Sequence, residues 1–173
     1  MKKILIVDDE QISLMMTNHI LATEYLTACA SSGKEAMSIY QRERPDVVLS
    51  DLRMPGMDGF ELQQNLEKRY GVSVPFMFMT ADHDDEVESR GFENGAADFI
   101  RKPFRADVLL RRIGNILQNI AQVEGLQKEA STDPMTGLLN KTTTQTQVDM
   151  LAKTSPGALM MIDLDNFKGT NDT

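Results

Sequence analysis

Four short apolar runs in this chain each end on a reactive polar residue. Ile4–Val7 leads into Asp8 and Asp9, Val47–Leu49 into Asp51, Phe76–Met79 into Thr80, and Phe99-Ile100 into Lys102. Runs this short, bounded by turn residues and separated by helical patterns, read as buried parallel strands. In such sheets ligand chemistry gathers at the carboxyl ends of the strands, so three acids, a hydroxyl and an ammonium are expected to converge on one spot.

Helical periodicity fills the gaps between the strands, at Ile12, Met15, Met16 and Ile20, at Ala36, Met37 and Tyr40, and at Leu62 and Leu66. Alternating strands and helices imply right-handed crossovers and a parallel sheet covered on both faces. A weaker strand, Tyr25–Ala30, suits an edge position because it mixes Thr27 with small residues. The pattern gives five strands and five helices from Met1 to about Asn119.

The fifth helix outruns the domain that it closes. Its pattern continues from Arg105 to about Ala130 without proline, and at ~1.5 Å per residue it would span roughly 39 Å. Leu109, Ile113, Ile116, Ile120 and Val123 follow the spacing of a short coiled-coil seam, so a partner helix, and hence a homodimer, is expected from Ile120 onward. The alternative for the first half is packing on the sheet. Turn residues at Ser131–Pro134 then precede a helical segment from about Leu138 to Lys153. A further apolar run, Ala158–Ile162, ends at Asp163-Leu164-Asp165. One helix and one strand cannot bury a core, so this second domain reads as cut short. The expected division is 1–119, a helical linker 120–130, and 131–173.

Charge and composition narrow the function. A net charge of -8 disfavours general nucleic-acid binding. The lone Cys29 can form no internal disulfide and suits a reducing compartment as a small packed hydrophobe. The apolar run after Met1-Lys2-Lys3 is too short for a signal peptide, and no stretch approaches the ~20 apolar residues of a membrane span, so a cytoplasmic protein is expected.

The strand-end residues form a coherent set. Magnesium takes octahedral oxygen ligands and keeps several waters, so Asp8, Asp9 and Asp51 suffice to hold it. An aspartate can attack a phosphoryl group to form an acyl phosphate, and Asp51, at the end of a central strand, is the natural nucleophile. Lys102, Thr80 and the metal would then balance charge on the phosphoryl oxygens. Taken singly, each part has a plainer explanation as a helix start, a cap or a surface charge. The joint placement at four strand ends favours chemistry.

The segments ILIVDDE, VLSDLRMPGMDG, FMFMTA and GAADFIRKPF resemble the receiver domain of two-component response regulators, over Met1 to about Asn119. The resemblance implies a flavodoxin-like, doubly wound five-stranded parallel sheet with strand order 2-1-3-4-5. It implies Asp51 as phosphoacceptor and magnesium held by Asp8, Asp9, Asp51 and the carbonyl of Arg53. Thr80 and Phe99 would be a switch pair, with the ring turning inward, and Lys102 would contact the phosphoryl group. Lys102-Pro103 would be a cis peptide, which an X-Pro bond tolerates. A sensor histidine kinase or phosphotransfer protein is the implied partner. Phe99 in place of tyrosine is a departure that keeps the ring and drops the hydroxyl.

The second segment, with DPMTGLLNK at Asp133–Lys141 and MIDLDNFKGTND at Met161–Asp172, resembles the opening of a GGDEF diguanylate cyclase domain. That likeness implies metal binding by Asp163 and the carbonyl of Leu164, a GTP phosphate turn at Phe167 and Lys168, and guanine recognition by Asn171. Lys141 replaces the usual arginine and Thr170 a usual apolar residue. No Gly-Gly pair occurs anywhere, so the chain as given is expected to be inactive as a cyclase and its longer parent to make cyclic di-GMP. Two rivals remain from the residues alone: a phosphorylation-independent protein-interaction module with a degenerate output, and a small-molecule phosphatase. The basic Arg111 and Arg112 could pair with the acidic Asp84, Asp85, Glu86 and Glu88 across a symmetric interface.

Overall fold

The computed structural model describes residues 1–71, 75–81 and 95–154, together with 157 and 160. Five parallel strands, β1 (Lys3–Val7), β2 (Leu26–Ala30), β3 (Val47–Asp51), β4 (Phe76–Thr80) and β5 (Asp98–Arg101), form one sheet in the order β2-β1-β3-β4-β5. The intervening helices are α1 (Gln11–Leu21), α2 (Gly33–Glu43) and α3 (Gly59–Tyr70), and α4 (Ala106–Ser131) follows β5. The chain divides into two units, Met1–Gln122 and Val123–Thr173. The segment expected to hold a further helix before β5, with His83 and the acids Asp84, Asp85, Glu86 and Glu88, lies outside the described residues. So do Ala158–Leu159 and everything from Met161, which takes in Asp163, Leu164, Phe167, Lys168 and Asn171.

Side-chain alternation along the strands builds two cores, one on each face of the sheet. Leu5, Val7, Val48, Phe76 and Phe78 point to one face, where Ala36, Ile39 and Tyr40 of α2 and Leu62 and Leu66 of α3 cover them. Ile4, Ile6, Val47, Leu49, Met77 and Met79 point to the other, under Leu14 and Leu21 of α1 and Leu109, Ile113, Ile116 and Leu117 of α4. Both faces are buried, which is why the strands read as continuous apolar runs. β2 is the least buried strand, mostly intermediate, and β5 is open at both of its ends, as befits the two edges.

Most of one expected face lies in solvent. Of the stripe Ile12, Met15, Met16 and Ile20 the first three are each more than 60% exposed and only Ile20 packs against the core, while Leu14, Thr17 and Leu21 form the buried face of α1. The two stripes share the same helical spacing. The inner one contains a threonine whose hydroxyl faces Met79 Sδ at 3.9 Å, so a count of apolar residues passed it over.

Local chemistry explains the helix ends. α3 carries a capping box: Asp58 Oδ1 accepts from the Glu61 amide at 2.7 Å, and Glu61 Oε2 accepts from the Asp58 amide at 3.1 Å. Gly71 closes α3 at φ 62°. Arg44 closes α2 in the same left-handed region at φ 45°, with its guanidinium 4.5 Å from the centre of the Tyr70 ring.

α4 changes character along its length. Leu109 and Ile113 are fully buried and Ile120 is half-buried, whereas residues 121–130 are all exposed, including Val123 and Leu126. Burying a leucine or isoleucine contributes about 1.5–3 kcal/mol, so the sheet fixes the first half of the helix and leaves the second unsupported by it. In the second unit Asp133 organises the turn: its Oδ1 accepts from the Met135 and Thr136 amides and the Thr136 hydroxyl. The bonds from Thr136 hold its carboxyl below the usual range. Asn140 Oδ1 then accepts from the Thr143 amide at 2.9 Å at the start of α5 (Lys141–Thr154). Among the described residues no helix is long and apolar enough to cross a membrane.

Candidate functional site

The register places the four polar strand ends side by side. Val7 pairs with Ser50, Asp51 with Met79 and Thr80 with Arg101, so the residues that follow β1 and those ending β3, β4 and β5 meet along one rim. β1 continues to β2 on one side and lies against β3 on the other, so Asp8 and Asp51 flank the point where strand order reverses. A cleft of about 310 Å³ opens there, lined by Asp8, Asp9, Asp51, Arg53, Thr80 and Lys102, with Ala81 beside Thr80. A larger hollow of about 580 Å³ lies along β5, and none of the three acids lines it.

Asp8 is 1% exposed and both its oxygens are engaged. Oδ1 accepts from the Glu10 amide at 3.0 Å; Oδ2 accepts from the Ser13 hydroxyl at 2.5 Å and from Lys102 Nζ at 2.7 Å. Lys102 Nζ also lies 2.9 Å from Asp51 Oδ1. The Lys102 amide donates to the Thr80 carbonyl at 2.8 Å, and the Lys102–Pro103 peptide is cis. Asp9 is exposed at the rim.

The electrostatics follow from this crowding. Burial raises the Asp51 pKa, the charges of Asp8 and Asp9 push the same way, and Lys102 opposes them without cancelling them. Burial would lower Lys102, but its hydrogen bonds to Asp8 and Asp51 outweigh that and leave its pKa raised. The cleft therefore holds an excess of negative charge, with the Lys102 ammonium between Asp8 and Asp51 and Arg53 exposed at its edge.

That excess fits a divalent ion. Oxygens of Asp8, Asp9 and Asp51 all lie within 4.8 Å of one another. An octahedral ion with bonds of about 2.1 Å spans about 3–4.2 Å between its ligands, so modest side-chain rotation closes the set. Lys102 already places a positive charge between two of the three acids.

The remaining expected residues fall as follows. Thr80 is buried at the end of β4 and Arg53 is exposed at the cleft. Phe99 is already inward, 5% exposed, with its ring centre 5.4 Å from that of Phe78. Arg112 Nη1 lies 2.7 Å from both carboxylate oxygens of Asp98. Cys29 is half-buried in β2, where burial pushes its thiol pKa up, away from reactivity.

Two contributors escaped the sequence reading. Ser13 donates to Asp8 from the first turn of α1. Gly59 lies so close to Asp51 that a Cβ there would stand 2.7 Å from the Asp51 carbonyl oxygen. The signal for Ser13 was its place five residues after Asp8, inside a helix start; Gly59 closes the VLSDLRMPGMDG segment, and nothing in that segment marks its close approach to Asp51.

Residues 4–114 match the family model for the response regulator receiver domain. The chain belongs to the response regulator receiver family. Residues 130–173 match the model of the GGDEF diguanylate cyclase domain, so a receiver is followed by GGDEF sequence, the organisation of a two-component regulator. A curated relative, the "Probable transcriptional regulator ycf27" of Porphyridium aerugineum, is 38% identical over 120 residues, 69% of this chain and 49% of its own length. The chain spans about half the length of the curated relatives it matches. Among solved structures, the chemotaxis protein CheY4 of Vibrio cholerae is similar at 32% identity and TM-score 0.62, covering 67% of this chain and 98% of its own. The signal receiver domain of a signal transduction histidine kinase from Syntrophus aciditrophicus is similar at 34% identity and TM-score 0.62, covering 69% and 92%. The sheet order and flanking helices are those of the CheY-like receiver fold.

Proposed function

We propose that this receiver is a phosphorylation switch that accepts a phosphoryl group on Asp51 with Mg2+ and controls the GGDEF segment that follows it. The observation that carries the reading is the cleft itself: a partly buried carboxylate with a raised pKa, two further acids within 4.8 Å, and a lysine reaching 2.9 Å from its oxygen. Asp8, Asp9, Asp51 and the Arg53 carbonyl would hold the ion, which would neutralise charge on the phosphoryl oxygens.

Asp51 makes the new oxygen–phosphorus bond while the bond to the donor's leaving group breaks. Lys102, freed from its carboxylates, binds one phosphoryl oxygen, and the Thr80 hydroxyl another. The Phe99 ring already packs on Phe78, so phosphorylation in this reading holds the ring in place rather than drawing it in. The donor is a histidine kinase or phosphotransfer protein in the cytoplasm. The receiver occupies residues 1–119, with 120–130 as the linker and 131–173 as GGDEF sequence. The output of the longer protein is cyclic di-GMP made from two GTP molecules. Bringing two such active sites together needs a dimer, and the exposed Val123 and Leu126 on the second half of α4 suit one.

Incubation with a small phosphodonor and Mg2+ tests the chemistry. The expected product is a single adduct per chain that hydroxylamine removes and EDTA prevents. Sustained turnover of the donor without an adduct would identify a phosphatase, and neither adduct nor turnover would leave an interaction module.

A further inference from the structure

The N-terminus of α1 breaks the usual capping rule. Its N-cap is Glu10, whose side chain makes no capping bond, and there is no acidic residue in the first turn. Asp8, two residues before the N-cap, instead ties the chain entering the helix to its first turn, accepting from the Glu10 amide through Oδ1 and from the Ser13 hydroxyl through Oδ2. A local rule broken beside a buried acid whose two oxygens are both engaged fits a site built for something other than stability.

Three donors hold the Asp8 carboxylate, and they differ in charge. Lys102 is a cation 2.7 Å from Oδ2; the Glu10 amide and the Ser13 hydroxyl are neutral and lie at the N-cap and in the first turn of α1. A divalent ion entering the cleft repels Lys102 and leaves the neutral donors untouched. With Lys102 gone, Ser13 supplies the remaining side-chain hydrogen bond to Asp8 among these three. Groups that hydrogen-bond a metal-binding carboxylate fix its plane before the ion arrives, so that less freedom is lost on binding.

We propose that Ser13 is a positioning residue for the divalent cation, holding the Asp8 carboxylate in its binding orientation from the first turn of α1. The inference rests on the reading of the acid cleft as the metal site and goes beyond it by naming a residue outside the ligand set. The rival role is plain helix stabilisation, which would alter melting and leave metal affinity alone.

The test is an amide NMR titration of the full chain with MgCl2, using wild type, Ser13→Ala, Ser13→Thr and Asp9→Asn, alongside melts of each without metal. Loss of a partner of this kind costs about 10–100-fold in metal affinity, so Ser13→Ala should bind Mg2+ at least about tenfold more weakly. Ser13→Thr, which keeps the hydroxyl, should stay within about twofold of wild type. A Ser13→Ala dissociation constant within about twofold of wild type overturns the proposal, whatever happens to its melting temperature. Equal loss in the alanine and threonine variants overturns it too, because packing and not the hydroxyl would then be responsible. Wild type that fails to bind Mg2+, or binding that survives Asp9→Asn unchanged, overturns the metal reading of the cleft and the inference with it.

Discussion

Replacing Asp51 with asparagine should make the metal-free protein more stable, although it removes an ion pair. The Asp51 carboxylate lies within 4.8 Å of oxygens on Asp8 and Asp9 and 2.9 Å from Lys102 Nζ. At an effective dielectric constant of about 20, each repulsion is worth about 3.5 kcal/mol and the attraction about 5.7 kcal/mol. The two repulsions outweigh the single attraction by about 1 kcal/mol, and burial adds to the imbalance. An expected gain of about 1–2 kcal/mol corresponds to a rise of roughly 3–6 °C per kcal/mol in melting temperature for a domain of this size. All three tyrosines, Tyr25, Tyr40 and Tyr70, lie in the first unit and the chain has no tryptophan, so tyrosine fluorescence reports the melting of that unit directly.

The pH dependence has a defined sign. The folded state holds the Asp51 proton to a higher pH than the unfolded state does, so wild type loses stability as pH rises from the unfolded value of about 3.9 through the raised folded one. The advantage of Asp51→Asn is thus full at pH 7–8 and closes as the pH falls towards about 4. Mg2+ should also shrink it, because wild type gains binding free energy that the variant gains less of. An asparagine variant less stable than wild type in EDTA, or an advantage independent of pH, would refute the charge-crowding argument.

Three other perturbations probe neighbouring parts of the account. Lys102→Ala removes the cation that competes for Asp8 and Asp51, and should tighten Mg2+ binding by about 1 kcal/mol, roughly fivefold, in an amide NMR titration. Gly59→Ala places a methyl 2.7 Å from the Asp51 carbonyl oxygen and 3.0 Å from the Phe78 ring. It should cost about 1–3 kcal/mol in urea unfolding and slow phosphorylation by displacing the acceptor's backbone. Asp46 accepts from Lys2 Nζ at 2.7 Å and the Lys3 amide at 2.8 Å, which outweigh its burial and hold its pKa below the ordinary value. Asp46→Asn should therefore cost about 1–2 kcal/mol at neutral pH, with the difference closing as pH falls below about 4 and wild-type Asp46 takes up its proton.

The strands and their polar ends were legible because a strand buried on both faces must be apolar throughout, and a run such as Phe76–Met79 stopping at Thr80 marks both the element and the rim. The family resemblance, rather than the pattern, supplied the strand order, since order depends on pairings such as Ile4 with Val47 across forty-three residues. Periodicity misled on α1, where Met15 and Met16 outweighed Leu14 in an apolar count although Thr17 completes the buried face. Ser13 escaped because a serine in a first helical turn reads as a helix-start residue; only the fold shows that its hydroxyl meets Asp8. Within the chain Arg112 bonds to Asp98 at the start of β5, a partner that the charge pattern did not suggest; the acids at 84–88 lie outside the described residues. The seam on α4 offers two readings from the pattern alone, sheet packing for its first half and a partner helix from Ile120 onward, and burial divides it at that place: Ile113 and Ile116 belong to the core, and Val123 is exposed.

The central claim, that Asp51 is the phosphoacceptor, is tested most directly by the intact mass of wild type and Asp51→Asn after incubation with acetyl phosphate and Mg2+. The account predicts one phosphoryl adduct on wild type, none without Mg2+, and none on the variant. An adduct of equal yield on Asp51→Asn would contradict it, as would an unmodified wild-type protein.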